Sequence, residues 1–150
     1  MIEDAARRAR DLFGSGLLCA ESVLTAVAEA RGVACKLIPR MATGFCSGLA
    51  RTGGLCGAVS GAVLSLGMAA GRDKPGESYD PTYALVREVI DRFEAAYGST
   101  TCAGLTGCDF ATEVGQQQFR DQGQHEKCTD YVGEATRWVL EALASQVDSA

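Results

Sequence analysis

Seven cysteines are spread through this chain: Cys19, Cys35, Cys46, Cys56, Cys102, Cys108 and Cys128. A thiol can bind a soft metal, exchange disulfides or fill a gap between helices, and its setting decides which. No two of them form a Cys-x-x-Cys pair, which argues against a zinc ribbon and a thioredoxin-like site. No Cys-x-x-Cys-His occurs, so covalent haem attachment is not indicated. Four of the seven share a setting. Cys19, Cys56, Cys102 and Cys128 each fall at or near the start of an expected helix, where free N–H groups and the positive dipole end favour a thiolate. If those starts converge at one end of a bundle, four thiolates meet. Such a set suits an iron–sulfur cluster for electron transfer, or a zinc ion in a structural or carrier module. Two or three close thiols suit metal-free disulfide exchange or redox sensing, with Cys56 as nucleophile and Cys19, Cys46, Cys102 or Cys128 as its resolving partner. The reading without chemistry is that each cysteine is a small apolar filler. Whether the chain is an enzyme stays open at this point.

Other residues add less. His125 is the one histidine and stands three before Cys128. It would share a helix face with Cys128 if that helix began early, but its neighbours Gln122, Gln124 and Glu126 favour a solvated surface residue. Trp138 reads as a core or interface anchor. The glycine-rich stretch from Gly44 to Gly57 lacks the Gly-Lys-Ser/Thr ending of a P-loop and follows no expected strand, so nucleotide binding is rejected there. One histidine and no nucleophile motif argue against a serine hydrolase.

The elements that must position the thiols follow from apolar spacing. Helices are expected over Ile2–Phe13, with Gly14-Ser15-Gly16 ending it and Ser15 able to cap the next, and over Leu17–Arg31. A short helix is expected over Ile38–Ala42, after which Thr43–Gly54 is a glycine-rich loop carrying Cys46. The central helix, Leu55–Ala70, is apolar nearly all round and therefore buried. Its Gly57, Gly61 and Ser65 form one narrow face where another helix can come close, or where a second copy of the chain could form a homodimer seam. Pro81 opens a helix with Tyr83, Val86, Val89, Ile90, Phe93 and Tyr97 on its apolar side, closed by Gly98. Ser99-Thr100-Thr101 caps a short segment at Cys102, Thr112 caps a helix over Ala111–Arg120, and Asp121–Lys127 reads as polar loop. Cys128 opens the last helix. No strand and no repeat is expected. The fold class is all-α: residues 1–150 form one domain, a helical bundle around a buried, glycine-rich helix.

Composition sets outer bounds. At 150 residues the chain can bury a real core, and a net charge of −5 without a Lys/Arg cluster argues against nucleic acid as a partner. Leu55–Ala70 is too short and too rich in glycine and serine for a membrane span, and the charged N-terminus lacks the layout of a secretory signal. The expected location is therefore cytoplasmic, where cysteines serve metal or redox chemistry more often than structural disulfides.

The same residues carry a family resemblance. Cys56-Gly57-Ala58-x-x-Gly61 resembles the CGAxxG signature of the C_GCAxxG_C_C family, whose members are called redox-active by inference. Leu18-Cys19-Ala20-Glu21-Ser22-Val23-Leu24, Tyr97–Cys102 with Leu105–Asp109, and Cys128 with Tyr131-Val132 resemble its other cysteine segments, in order, over residues 8 to 143. The resemblance implies a small helical protein with four signature cysteines, at Cys19, Cys56, Cys102 and Cys128. It also implies kinship with a domain of split-Soret cytochromes that carries an iron–sulfur cluster. The haem motifs of that relative are absent here. Cys35, Cys46 and Cys108 lie outside the signature, and Cys46 is placed to replace or supplement a ligand.

Overall fold

The computed structural model describes residues 1–149, with side chains described to residue 146. The helices are α1 (Ile2–Gly14), α2 (Cys19–Ala30), α3 (Cys46–Arg51), α4 (Gly57–Ala70), α5 (Asp80–Tyr97), α6 (Cys102–Thr106), α7 (Glu113–Asp121) and α8 (Gln124–Ser149), with a 3-10 helix over Arg40–Phe45 before α3. Among the described residues there is no strand, so the chain is all-α as its apolar spacing requires. No helix among them is long and apolar enough to cross a membrane.

The long α8 is the spine, packing against α1, α2, α4 and α5, while α4 packs against α2, α5 and α8. The central place of α4 follows from its residues: Gly57 to Ala62 are buried without a break, all round the helix, and Ser65 and Leu66 continue the buried side. Its glycines set how close it can come to α2. A Cβ added at Gly61 would meet the Ala20 carbonyl oxygen at 2.8 Å and Val23 Cβ at 2.9 Å. Ser65 is wholly buried and donates to the Gly61 carbonyl at 2.7 Å. This small-residue face is therefore covered by α2 within the chain. It is not free to serve as the homodimer seam suggested by its spacing.

Away from the thiols, Phe93 anchors the packing of α5 on α8. It is wholly buried, with the rings of Tyr131 and Trp138 edge-on to it at 5.6 and 6.1 Å. Several boundaries differ from the sequence reading. Ser15 donates to the Leu12 carbonyl at 2.7 Å rather than capping α2, whose Leu18 N–H is instead received by Glu21 at 2.8 Å. Tyr83, expected on the apolar face of α5, is exposed, and Leu85 is buried in that role with Val89 and Phe93. The last helix begins at Gln124, directly after Gly123 at φ +65°, so residues expected as loop form its first turn. A left-handed glycine there lets α7 end and α8 begin without a loop between them.

Candidate functional site: a cavity lined by four thiols

All seven cysteines are free thiols. Cys19 is the first residue of α2, Cys102 the first of α6, and Cys56 the residue that precedes α4. Thr101 caps α6 by accepting from Gly104 N–H at 3.0 Å. Cys128 lies a turn inside α8, because that helix starts early. The helix-start setting expected for four cysteines thus holds for three.

Two local devices bring these starts together. The first is an isolated antiparallel bridge between Leu55 and Thr101. Cys56 N–H donates to the Thr100 carbonyl and Cys102 N–H to the Gly54 carbonyl, each at 2.8 Å, which ties the start of α4 to that of α6. The second is Gly57. Its hydrogen leaves the space in which the Cys19 sulfur sits, and a methyl group there would collide with that sulfur. In this way Cys19, Cys56, Cys102 and Cys128 come to line one cavity of about 240 Å³. Phe13, Leu17, Phe110, Phe119 and Tyr131 add large apolar side chains to its wall, and no lysine or arginine is among its lining residues. His125 also lines it, with its ring stacked on Phe13 at 4.5 Å. The histidine is exposed, as its neighbours suggested, and yet sits at this cavity because α8 starts before it.

The outer three cysteines divide. Cys35 is exposed on the surface. Cys108 is buried outside the cavity, with its thiol 3.4 Å from the Thr106 carbonyl oxygen. Cys46 is 2% exposed and lies against Cys19. It is held there by α3, which is no ordinary helix: Ser47, Gly48, Leu49, Ala50 and Arg51 run in the left-handed region, at φ +56°, +65°, +60°, +55° and +69°. Each non-glycine residue there costs about 1–2 kcal/mol, so the turn persists only because its surroundings hold it. Gly48 is pinned between Cys102, whose Cβ would lie 2.5 Å from an added Cβ, and Gly54, whose N–H donates to the Gly48 carbonyl at 2.9 Å.

Burial governs the acidity of the thiols. The Cys56 thiol is pushed up to about 11 by burial, against the N–H groups of Ala58 and Val59 that pull it down, and the charge of Cys102 raises it further. Burial also raises Cys102, with Cys108 adding to it. Cys128 is pushed up to about 12, first by burial and then by the charges of Cys56 and Cys102. Cys19 alone is lowered, because the Cys46 thiol donates to it and the N–H groups of Ser47 and Ala20 help to outweigh its burial. The expectation that each helix start depresses its thiol is corrected for Cys56 and Cys102. Removing water from a thiolate costs more than one or two N–H groups return.

Two outcomes follow. Among the four cavity thiols, Cys19 reacts first with iodoacetamide at about pH 8, ahead of Cys56 and Cys128, as read by mass spectrometry of the peptides. Stability follows from the same shifts. Cys56 and Cys128 hold their protons more tightly in the fold than at the ordinary thiol value of about 8.5. Their contribution is fully present below that value and lost as pH rises through about 11 and about 12. Urea unfolding of the metal-free protein therefore has its midpoint lower at about pH 10.5 than at about pH 7.5. An unchanged midpoint would show that the thiols are not buried as described.

An all-helical bundle that gathers thiols from four separate helices into one apolar cavity belongs to the cysteine-centred helical proteins. The particular family is shown by comparison. The family profile described as "Putative redox-active protein (C_GCAxxG_C_C)" matches residues 17–142, and the chain belongs to that family. An uncharacterised protein of Archaeoglobus fulgidus is 29% identical to it, over 96% of this chain and 96% of its own length. No solved structure matches the chain. These findings do not extend to the split-Soret cytochromes.

Proposed function

We propose that Cys19, Cys56, Cys102 and Cys128 together hold an iron–sulfur cluster and that the protein serves in electron transfer. The observation that carries this reading is the cavity itself: four thiols face one apolar space that supplies no lysine or arginine to balance them. Each thiolate formed there raises the cost of the next, as the influence of Cys56 and Cys102 on Cys128 makes plain. A bound cationic centre removes that conflict and holds the thiols deprotonated. Four soft sulfur donors suit iron–sulfur clusters, and when bound a cluster takes up and returns one electron.

The chain's own residues would do the rest. The Ala58, Val59, Ser47 and Ala20 N–H groups donate to the Cys56 and Cys19 sulfurs and would stabilise their charge. Phe13, Phe110, Phe119 and Tyr131 would limit water at the site. A single zinc ion suits the cavity less well. Zinc draws its sulfurs to about 2.3 Å from one point. Among the described residues no three His, Cys, Asp and Glu side chains are grouped closely enough to hold a metal ion, so the four thiols would have to draw in around either centre, and further for a single zinc than for a cluster.

Anaerobic purification from iron-supplied cells, followed by iron and acid-labile sulfide analysis, tests the reading. Brown protein with a broad visible band and both elements bound is the expected result. Colourless protein that takes up neither element on anaerobic reconstitution overturns it.

A further inference from the structure

Cys46 belongs to neither the four-cysteine signature nor the cavity wall, yet it is the thiol that touches Cys19. It sits in a small apolar cluster with Ala20, Leu24 and Ala42, which Cys19 borders. The two sulfurs are anchored reciprocally. The backbone N–H groups of Ala20 and Ser47 lie beside the Cys19 sulfur and those of Ala20 and Glu21 beside the Cys46 sulfur, whose thiol also donates to the Ala42 carbonyl oxygen at 3.4 Å. Each sulfur is thus held by the backbone that follows the other. The left-handed run at Ser47–Arg51 fixes this arrangement, since Ser47 directly follows Cys46. The two thiols differ in access: Cys19 is half-buried at the cavity, and Cys46 is buried behind it.

We propose that Cys19 and Cys46 form a reversible dithiol–disulfide pair, which on oxidation withdraws Cys19 from the four-thiol set. The oxidant is a small-molecule disulfide, RSSR. The Cys19 sulfur, the accessible one, loses its proton and attacks one sulfur of RSSR. The S–S bond of RSSR breaks, a Cys19–SR bond forms, and one RSH leaves with the proton. The Cys46 sulfur then attacks Cys19, the Cys19–SR bond breaks, the Cys19–Cys46 bond forms, and the second RSH leaves with the Cys46 proton. Two thiols are oxidised by two electrons and one RSSR is reduced to two RSH. The bond itself does not depend on the cluster reading. Its consequence, that the oxidised protein cannot load a cluster, rests on that reading.

The test uses the full-length metal-free protein, treated with oxidised glutathione, quenched with acid and alkylating agent, and digested with trypsin. Cleavage after arginine and lysine puts Cys19 in peptide 11–31, Cys46 in peptide 41–51 and Cys56 in peptide 52–72, so each pairing is distinct. The expected product is 11–31 joined to 41–51, and dithiothreitol reverses it. Cys19 joined to 52–72, or Cys19 carrying glutathione while Cys46 is alkylated, overturns the proposal. Reconstitution is then compared with and without the oxidant. The parent chain loses iron uptake roughly tenfold and regains it with dithiothreitol, whereas in Cys46→Ser and Cys46→Ala no thiol resolves the first exchange and Cys19 keeps the glutathione. Undiminished iron uptake by the parent once peptides 11–31 and 41–51 are joined, or no glutathione on Cys19 in either variant, also overturns the proposal. A protein that never takes up iron defeats the cluster reading alone, because the peptide map still decides the disulfide.

Discussion

Replacing Cys56 by serine is expected to leave a folded protein with no bound iron or sulfide. The fold survives because Cys56 occupies the position just before α4, a place where serine is among the preferred residues. A serine oxygen there can accept the Ala58 and Val59 N–H groups that now reach the Cys56 sulfur. The urea midpoint should therefore move by no more than about 1 kcal/mol in stability. The site does not survive, because a serine hydroxyl is a hard donor that stays protonated at neutral pH, while an iron–sulfur cluster is held by thiolates. Iron and sulfide analysis with the visible spectrum reads the loss, and circular dichroism shows that the helices remain. Cys35→Ser is the control, since that thiol is exposed and apart from the cavity. A Cys56→Ser protein that retains full iron and colour would remove Cys56 from the ligand set and the proposed function with it.

Two glycines of α4 should respond oppositely to the same substitution. Gly61→Ala is expected to destabilise by about 1–3 kcal/mol, the range for forcing extra volume into a packed core. Its new methyl would lie 2.8 Å from the Ala20 carbonyl oxygen and 3.0 Å from Ala20 Cα, which are backbone atoms that cannot rotate aside. The helices must part, and Cys19, one residue before Ala20, moves with α2. Iron uptake should weaken along with stability. Gly67→Ala meets nothing within 4 Å and lies on the exposed side of the same helix. It removes the backbone entropy of glycine from a helix interior and should stabilise by about 0.5–1 kcal/mol, with iron uptake unchanged. Urea unfolding of both variants checks the pair. Equal effects at the two positions would refute the close packing of α2 on α4.

The all-α class and the buried α4 could be read from spacing because they are local facts. Apolar residues nearly all round Leu55–Ala70 mark it as buried, with an exposed side only at Gly67, and Pro81 and Gly98 mark α5 by restricting φ or freeing it. The start of α8 was hidden because Gln124 to Lys127 are polar in a helix's first turn as they would be in a loop. Leu55 and Thr101 pair over too short a stretch to leave any period in the sequence. The four signature cysteines could be named from their helix-start setting and family pattern. Their acidity could not, since the sign of each shift depends on how much water the folded surroundings remove. Cys46 shows the limit most clearly. Ser47, Leu49, Ala50 and Arg51 carry no local preference for the left-handed region, so contacts with their surroundings, Cys102, Gly54 and Thr52 among them, hold that turn. The cysteine kinds and their order are properties of the chain. Which thiol touches which is a property of packing between segments far apart in it.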